Sequence, residues 1–261
     1  MILDKIVASA RKRVAQEKER QSLKEIQAQA LAMESQMNFP FEKMLHTDGI
    51  SFICEVKKAS PSKGVIAEKF PYLDIAREYE QAGAGAISVL TEPEFFQGSP
   101  RYLQEIRQAV KLPLLRKDFI IDEYQIYQAK ILGADAALLI CAILDAAKLK
   151  EYIRLCDRLG LSALVEAHDE AEMQRAVAAG ARIIGVNNRN LKDFTVDIEN
   201  SVRLREKAPA AVAFVAESGI KTRQDVKRLE DSKVNAALIG ETLMRSPDKK
   251  AMLDELRGNA L

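Results

Sequence analysis

From Ile50 onward the chain alternates between short apolar runs and amphipathic stretches, and this alternation constrains the fold more than any other feature. The pattern predicts strands at Ser51–Lys57, Ala86–Leu90, Leu114–Lys117, Ala136–Cys141, Ser162–Glu166, Ile183–Asn187, Ala213–Glu217 and Ala236–Ile239. Between them it predicts helices at Tyr72–Ala82, Pro100–Val110, Glu123–Leu132, Asp145–Leu159, Glu170–Ala179, Ile198–Lys207 and Thr222–Glu230, with a last one at Asp248–Leu256. Short apolar strands separated by helices of about three turns pair in parallel through βαβ crossovers. Strict alternation over eight such units predicts an α/β chain folded as a (β/α)8 TIM barrel rather than an open doubly wound sheet. No Gly-rich dinucleotide fingerprint follows the first strand, which weighs further against the open sheet.

A quasi-repeat supports the cyclic architecture. Three helices end in Gly-Ala just before a strand, at Gly83-Ala84, Gly133-Ala134 and Gly180-Ala181, about two βα units apart. Ahead of the repeating part, Ile2 to roughly Met37 reads as helix: Leu3, Ile6, Val7 and Ala10 recur at helical spacing, and Leu23–Met33 is rich in strong helix formers. The expected organisation is an N-terminal helical extension over 1–48, packed on the mouth of a barrel over 49–261, in one structural domain.

Composition narrows the function classes. A formal net charge of +1 provides no overall field to recruit nucleic acid or an anionic membrane, so neither is expected as a partner. Met1 to Arg20 interleaves charged and apolar residues, unlike a signal peptide, and no run approaches the ~18 apolar residues of a membrane span. A cytoplasmic protein is expected. Cys54, Cys141 and Cys156 have no metal-like spacing and read as core thiols, and His46 and His168 form no ligand cluster with them. No metal set or cofactor motif is visible. The charged helices offer no obvious apolar stripe to a partner, which is compatible with a monomer and leaves the oligomeric state open.

The strands break their own pattern at one end. The first places Glu55 and Lys57 on one face; the third ends in Lys117-Asp118, the fifth in Glu166, the sixth in Asn187 and the seventh in Glu217-Ser218. A barrel interior is packed, and its carboxyl-end rim is where active sites are built. Uncompensated burial of one such charge costs several kcal/mol. Four strands meeting that cost at one end, with polar Asn187 ending a fifth, point to chemistry, although a ring of ion pairs locking the mouth is the competing reading. Gly219 and Gly240 close the seventh and eighth strands, where barrels commonly bind phosphate against backbone N–H groups. Two ordinary tight turns would look the same. The basic loop Lys57–Gly64 adds Ser60 as a phosphate contact or as part of a mobile lid.

At these residues the chain resembles the indole-3-glycerol-phosphate synthase family over essentially its whole length. The matching segments are Glu55-Val-Lys57-Lys-Ala-Ser60-Pro-Ser, Ser88-Val-Leu-Thr91-Glu92, Leu115-Arg-Lys117-Asp-Phe119-Ile, Leu164-Val-Glu166, Gly185-Val-Asn187-Asn-Arg189-Asn-Leu191, Ala216-Glu217-Ser218-Gly219-Ile and Leu238-Ile-Gly240-Glu-Thr-Leu-Met. The resemblance implies ring closure of 1-(2-carboxyphenylamino)-1-deoxyribulose 5-phosphate to indole-3-glycerol phosphate, carbon dioxide and water, with no cofactor. It implies that Lys117 is the general acid at the ketose carbonyl and Glu166 the base in the dehydration. Lys57 is then a second acid or a carboxylate clamp, and which lysine delivers each proton stays open. Glu55 and Glu217 would orient the lysines and substrate hydroxyls, Asn187 would bind the sugar portion and Arg189 the anthranilate side. Phe95 and Phe119, with Leu191, would form the slot for the aromatic ring, and Ser60, Ser218, Gly219, Gly240 and Glu241 would surround the phosphate. Many members carry a small residue where this chain has Glu241, whose carboxylate must then point away. Two other readings remain at this point: a Schiff-base aldolase using Lys57 or Lys117, and a barrel kept as a binding scaffold.

Overall fold

A computed structural model of the chain, which describes residues 1–34 and 37–259, contains a closed barrel of eight parallel strands. These are β1 (Ser51–Val56), β2 (Ala86–Leu90), β3 (Leu114–Lys117), β4 (Ala136–Ile140), β5 (Ser162–Ala167), β6 (Ile183–Asn187), β7 (Ala213–Glu217) and β8 (Ala236–Ile239). Each strand pairs with its neighbours in sequence, and β8 closes on β1 with Ser51 opposite Ala236. The predicted strands are all present, with ends moved by a residue or less. A small antiparallel hairpin, Ala59–Ser60 with Gly64–Val65, was not predicted; two-residue strands carry no readable period.

The helices are α1 (Ile2–Arg20), α2 (Leu23–Ala32), α3 (Pro40–Met44), α4 (Tyr72–Gln81), α5 (Pro100–Ala109), α6 (Glu123–Ile131), α7 (Ala146–Arg158), α8 (Glu170–Ala179), α9 (Glu199–Lys207), α10 (Arg223–Asp231), α11 (Glu241–Arg245) and α12 (Lys249–Arg257). The expected helical stretch to Met37, of which residues 35 and 36 lie outside the described residues, is two helices broken at Gln21-Ser22. Ser22 forms a capping box there with Glu25. Several predicted starts prove to be caps. The carboxylates of Asp145 and Asp248 and the hydroxyl of Thr222 accept backbone N–H bonds three residues on, so the helix proper begins one residue later. In the Gly-Ala repeat, Gly83, Gly133 and Gly180 all have positive φ, which glycine adopts without a Cβ clash and which turns each helix into the next strand. None of the described helices is long and apolar enough to cross a membrane.

Alternation along the strands sorts side chains into two cores. Outward residues such as Phe52, Cys54, Ile87, Leu139 and Phe214 pack under the helices. Inward residues Ile53, Leu115, Leu138, Leu164, Val215 and Leu238 fill the barrel. Short α3, too brief to predict, plugs the amino end with Phe41 and Leu45, both essentially fully buried. Burial of a side chain of this size stabilises by about 2 kcal/mol, so the floor of the barrel is dry and firmly packed. Moving toward the carboxyl end along the same inward rows, the apolar residues give way to charged ones.

Candidate active site

The inward rows open into a cavity of about 460 Å³ at the carboxyl end of the barrel, a volume suited to a small ligand. Ile2, Leu3 and Ile6 of α1 line one side of it, so the first helix shelters the mouth. Of the residues expected from sequence, Glu55, Lys57, Ser60, Lys117, Phe119, Glu166, Asn187, Arg189, Leu191, Glu217, Ser218, Gly219, Gly240 and Glu241 all line this one cavity. Phe95 does not. Its neighbour Phe96 lines the cavity instead, with its ring centroid 5.9 Å from that of Phe119. The Glu92 carboxylate accepts the backbone N–H groups of Glu94, Phe95 and Phe96 at 3.0, 2.7 and 3.0 Å, and the loop so folded turns Phe96 inward.

Lys117 is the centre of the charge network. Its Nζ lies 3.1 Å from Glu166 Oε2 and 3.1 Å from Glu217 Oε2. Burial alone would push the ammonium pKa down, but Glu217 and Glu166, with Glu55 farther off, more than offset it and raise it. The two flanking carboxylates thus favour the protonated form of Lys117 near neutral pH. The two carboxylates that share it diverge. For Glu166, burial works upward, but Lys117, His168 and a hydrogen bond from Asn187 Nδ2 (3.3 Å) hold the pKa below the ordinary value. For Glu217, burial dominates and the Glu166 charge adds to it, so despite Lys117 its pKa is pushed up to about 7. One lysine thus keeps one neighbour ionised and leaves the other poised to hold a proton near neutrality. Lys57 pairs with Glu55 beside them.

Two glycines make this crowding feasible. A Cβ on Gly240 would strike the Glu55 carboxylate and lie 2.7 Å from Lys57 Nζ, and a Cβ on Gly185 would strike the Glu217 carboxylate. Gly240 was expected only as a phosphate contact, and the demand on Gly185 comes from a neighbouring strand, so neither role can be read from local sequence. The turns after β7 and β8 lie side by side, tied by Thr242 Oγ1 donating to Ile220 O at 2.8 Å. Ser218 and Gly219 both have positive φ, with Gly219 facing Val196 across the cavity rim. Glu241 is drawn toward Lys63 Nζ (3.4 Å) and Arg245 Nε (3.2 Å); burial would raise its pKa, but these cations hold it below the usual carboxylate range.

The extension is stapled to the same rim. Arg13 Nη2 donates to Asp118 Oδ1 at 2.7 Å, next in sequence to Lys117, and Lys18 pairs with Asp122 at 2.7 Å. Asp118 also accepts from Thr91 Oγ1 (2.8 Å) and Arg116 Nη2 (3.0 Å). Arg116 points outward and donates to Gln125 O and Gln128 Oε1. This buried outer network fixes the strand end from behind while Lys117 faces the cavity. Chemically, the mouth offers a buried ammonium able to donate a proton, an ionised carboxylate able to accept one, a second lysine–carboxylate pair, an aromatic pair and adjoining turns after β7 and β8.

The family model described as indole-3-glycerol phosphate synthase matches residues 3–256. An indole-3-glycerol phosphate synthase of Ruminiclostridium cellulolyticum is 58% identical over 260 residues, spanning 100% of both chains. That of Endomicrobium trichonymphae is 55% identical over 257 residues, 98% of this chain and 100% of its own. Among solved structures, 3-hexulose-6-phosphate synthase from Salmonella typhimurium superposes with a TM-score of 0.66 at 14% identity, over 80% of this chain and 97% of its own. That likeness speaks to the barrel alone.

Proposed function

We propose an assignment of roles in this mouth on one premise: the chain belongs to the indole-3-glycerol phosphate synthase family. Its activity is ring closure of the carboxyphenylamino deoxyribulose phosphate to indole-3-glycerol phosphate, with loss of carbon dioxide and water. The observation that carries the roles is Lys117 held between Glu166 and Glu217 on the floor of the cavity.

The ammonium of Lys117 protonates the ketose carbonyl as the carboxylate-bearing aromatic carbon attacks it. Loss of carbon dioxide restores aromaticity. The hydroxyl formed from the carbonyl then leaves as water, protonated by Lys57 or by a reprotonated Lys117, and Glu166 takes the proton released as the ring double bond forms. Glu55 holds Lys57 and Glu217 holds Lys117, so neither lysine swings out of reach. Asn187, hydrogen-bonded to Glu166, faces the sugar. Arg189, whose backbone N–H is fixed on Asn187 Oδ1 at 3.0 Å, faces the anthranilate carboxylate. Phe96, Phe119 and Leu191 form the apolar slot. Ser60, Ser218, Gly219, Gly240 and the backbone of Glu241 bind the phosphate. Folding a flexible substrate between the slot and the phosphate turns supplies the orientation that ring closure needs.

An ammonium kept protonated by two carboxylates is a poor imine-forming nucleophile, which argues against the aldolase reading. The three cysteines are buried and unpaired, which fits a reducing compartment such as the cytoplasm. The test is to add the carboxyphenylamino sugar phosphate to purified protein and follow indole fluorescence. The chain has no Trp, so the product is read against a low background. No rise in fluorescence would defeat the assignment.

A further inference from the structure

His168 lies just past the end of β5, two residues beyond Glu166, where an extended chain puts both side chains on one face. It is absent from the lining of the main cavity and lines a neighbouring recess instead. Nδ1 is hydrogen-bonded to Glu172 Oε2 at 3.1 Å, and the buried Nε2 lies 3.4 Å from Glu166 Oε1, close enough for an ion pair but without hydrogen-bond geometry. A neutral ring would leave an unprotonated nitrogen close to one carboxylate, so the two flanking carboxylates favour the imidazolium. Glu172 is itself fixed. Its Oε2 accepts the backbone N–H of His168 at 2.9 Å, and Arg175 Nη2 lies 3.8 Å from its Oε1. Asn200 Nδ2 donates to the His168 carbonyl at 3.0 Å, so the backbone is clamped on both sides.

We propose that His168 is a positioning residue for Glu166: an imidazolium braced by Glu172 that orients and counter-charges the carboxylate from the side away from Lys117. The proposal rests on the reading of Glu166 as the base. A base flanked only by Lys117 would share that cation with Glu217 and lose charge whenever Lys117 gives up its proton. With His168 behind it, Glu166 keeps a second cation throughout the cycle. The groups facing this pair are Lys117 from β3, Cys141 after β4, Asn187 from β6, Glu217 from β7, and Glu172 and Arg175 from α8. Burial would lower the His168 pKa, but Glu172, Glu166 and more distant Glu217 raise it, in keeping with the geometry.

Two measurements test this. The first is the pH profile of kcat. In His168→Asn the acid limb moves up by about one pH unit, with kcat on that limb reduced up to about tenfold and the loss becoming smaller as pH rises toward 8. Glu172→Gln moves the limb in the same direction by less. A pH-independent loss, or profiles that superpose on the parent's, overturns the proposal. Glu166→Gln separates the two ideas. If it keeps turnover within about tenfold, the reading of Glu166 as base fails; if it is inactive while the His168→Asn profile stays unmoved, only the present proposal fails. The second is proton NMR of the substrate-free protein, which has just two histidines. The ring signal lost in His168→Asn should titrate above the ordinary 6.5 and move down in Glu172→Gln; a midpoint at or below 6.5 overturns the imidazolium.

Discussion

Glu217 is held in the mouth at a cost to stability, and replacing it with glutamine should reveal that cost as a pH dependence. Its carboxyl is 2% exposed, and its pKa is pushed from the ordinary 4.5 to about 7. A group whose folded pKa is raised favours the folded state fully below its unfolded value and loses that contribution as pH rises through the folded value. The loss therefore falls between about pH 4.5 and pH 7. At about 1.4 kcal/mol per pH unit, it amounts to about 3 kcal/mol at pH 8. Glu166 acts with the opposite sign, since its depressed pKa adds stability above 4.5 that is lost on acidification; removing the Glu217 charge lowers that pKa further, so Glu166 is ionised in both proteins over the range tested and contributes little to the slope of their difference. A glutamine side chain at this position resembles protonated Glu217 in shape and charge. The assay is urea unfolding of parent and Glu217→Gln followed by Tyr fluorescence at several pH values from 5 to 8. The variant should gain on the parent by about 2 to 3 kcal/mol across this range, the earliest part of the loss falling below pH 5, while turnover falls, an exchange of stability for activity. A stability difference that stays flat to within about 1 kcal/mol over the same range would refute the account of how Glu217 is held.

Lys117→Met should cut turnover by at least about a hundredfold, the usual contribution of a general acid, while binding of an unreactive substrate analogue by calorimetry stays within about tenfold. Equal losses of both would make Lys117 a clamp instead of an acid. Phe96→Ala should raise KM about tenfold through loss of one aromatic contact, whereas Phe95→Ala should leave KM within about twofold; equal effects would contradict the lining of the slot.

The barrel and its charged rim were legible because a strand has a period of two. Once Ile53 is inward, Glu55 and Lys57 must be as well, and the same reasoning places Glu166 with Leu164 and Glu217 with Val215. What was not legible depends on segments without a period or on neighbours across strands. The loop carrying Phe95 and Phe96 has no repeat to say which ring faces in; Glu92 decides it by collecting three successive N–H groups. The demand for glycine at Gly185 comes from Glu217 on the next strand, and that at Gly240 from Glu55 and Lys57 on β1. Short α3 could not be read by period, yet it closes the barrel floor. His168 carried a usable signal, its two-residue offset from Glu166, which puts both side chains on one face of an extended segment.

Arg13 gives the architecture a consequence for assembly. The helix that shelters the cavity is fastened to Asp118, one residue from Lys117, so the shelter and the buried ammonium share an anchor point. An undocked first helix would leave a buried Asp118 without one of its two guanidinium partners and the strand end beneath Lys117 less firmly fixed. The first helix thus does two jobs at once: it walls the cavity, and through Arg13 it braces the strand end that carries Lys117.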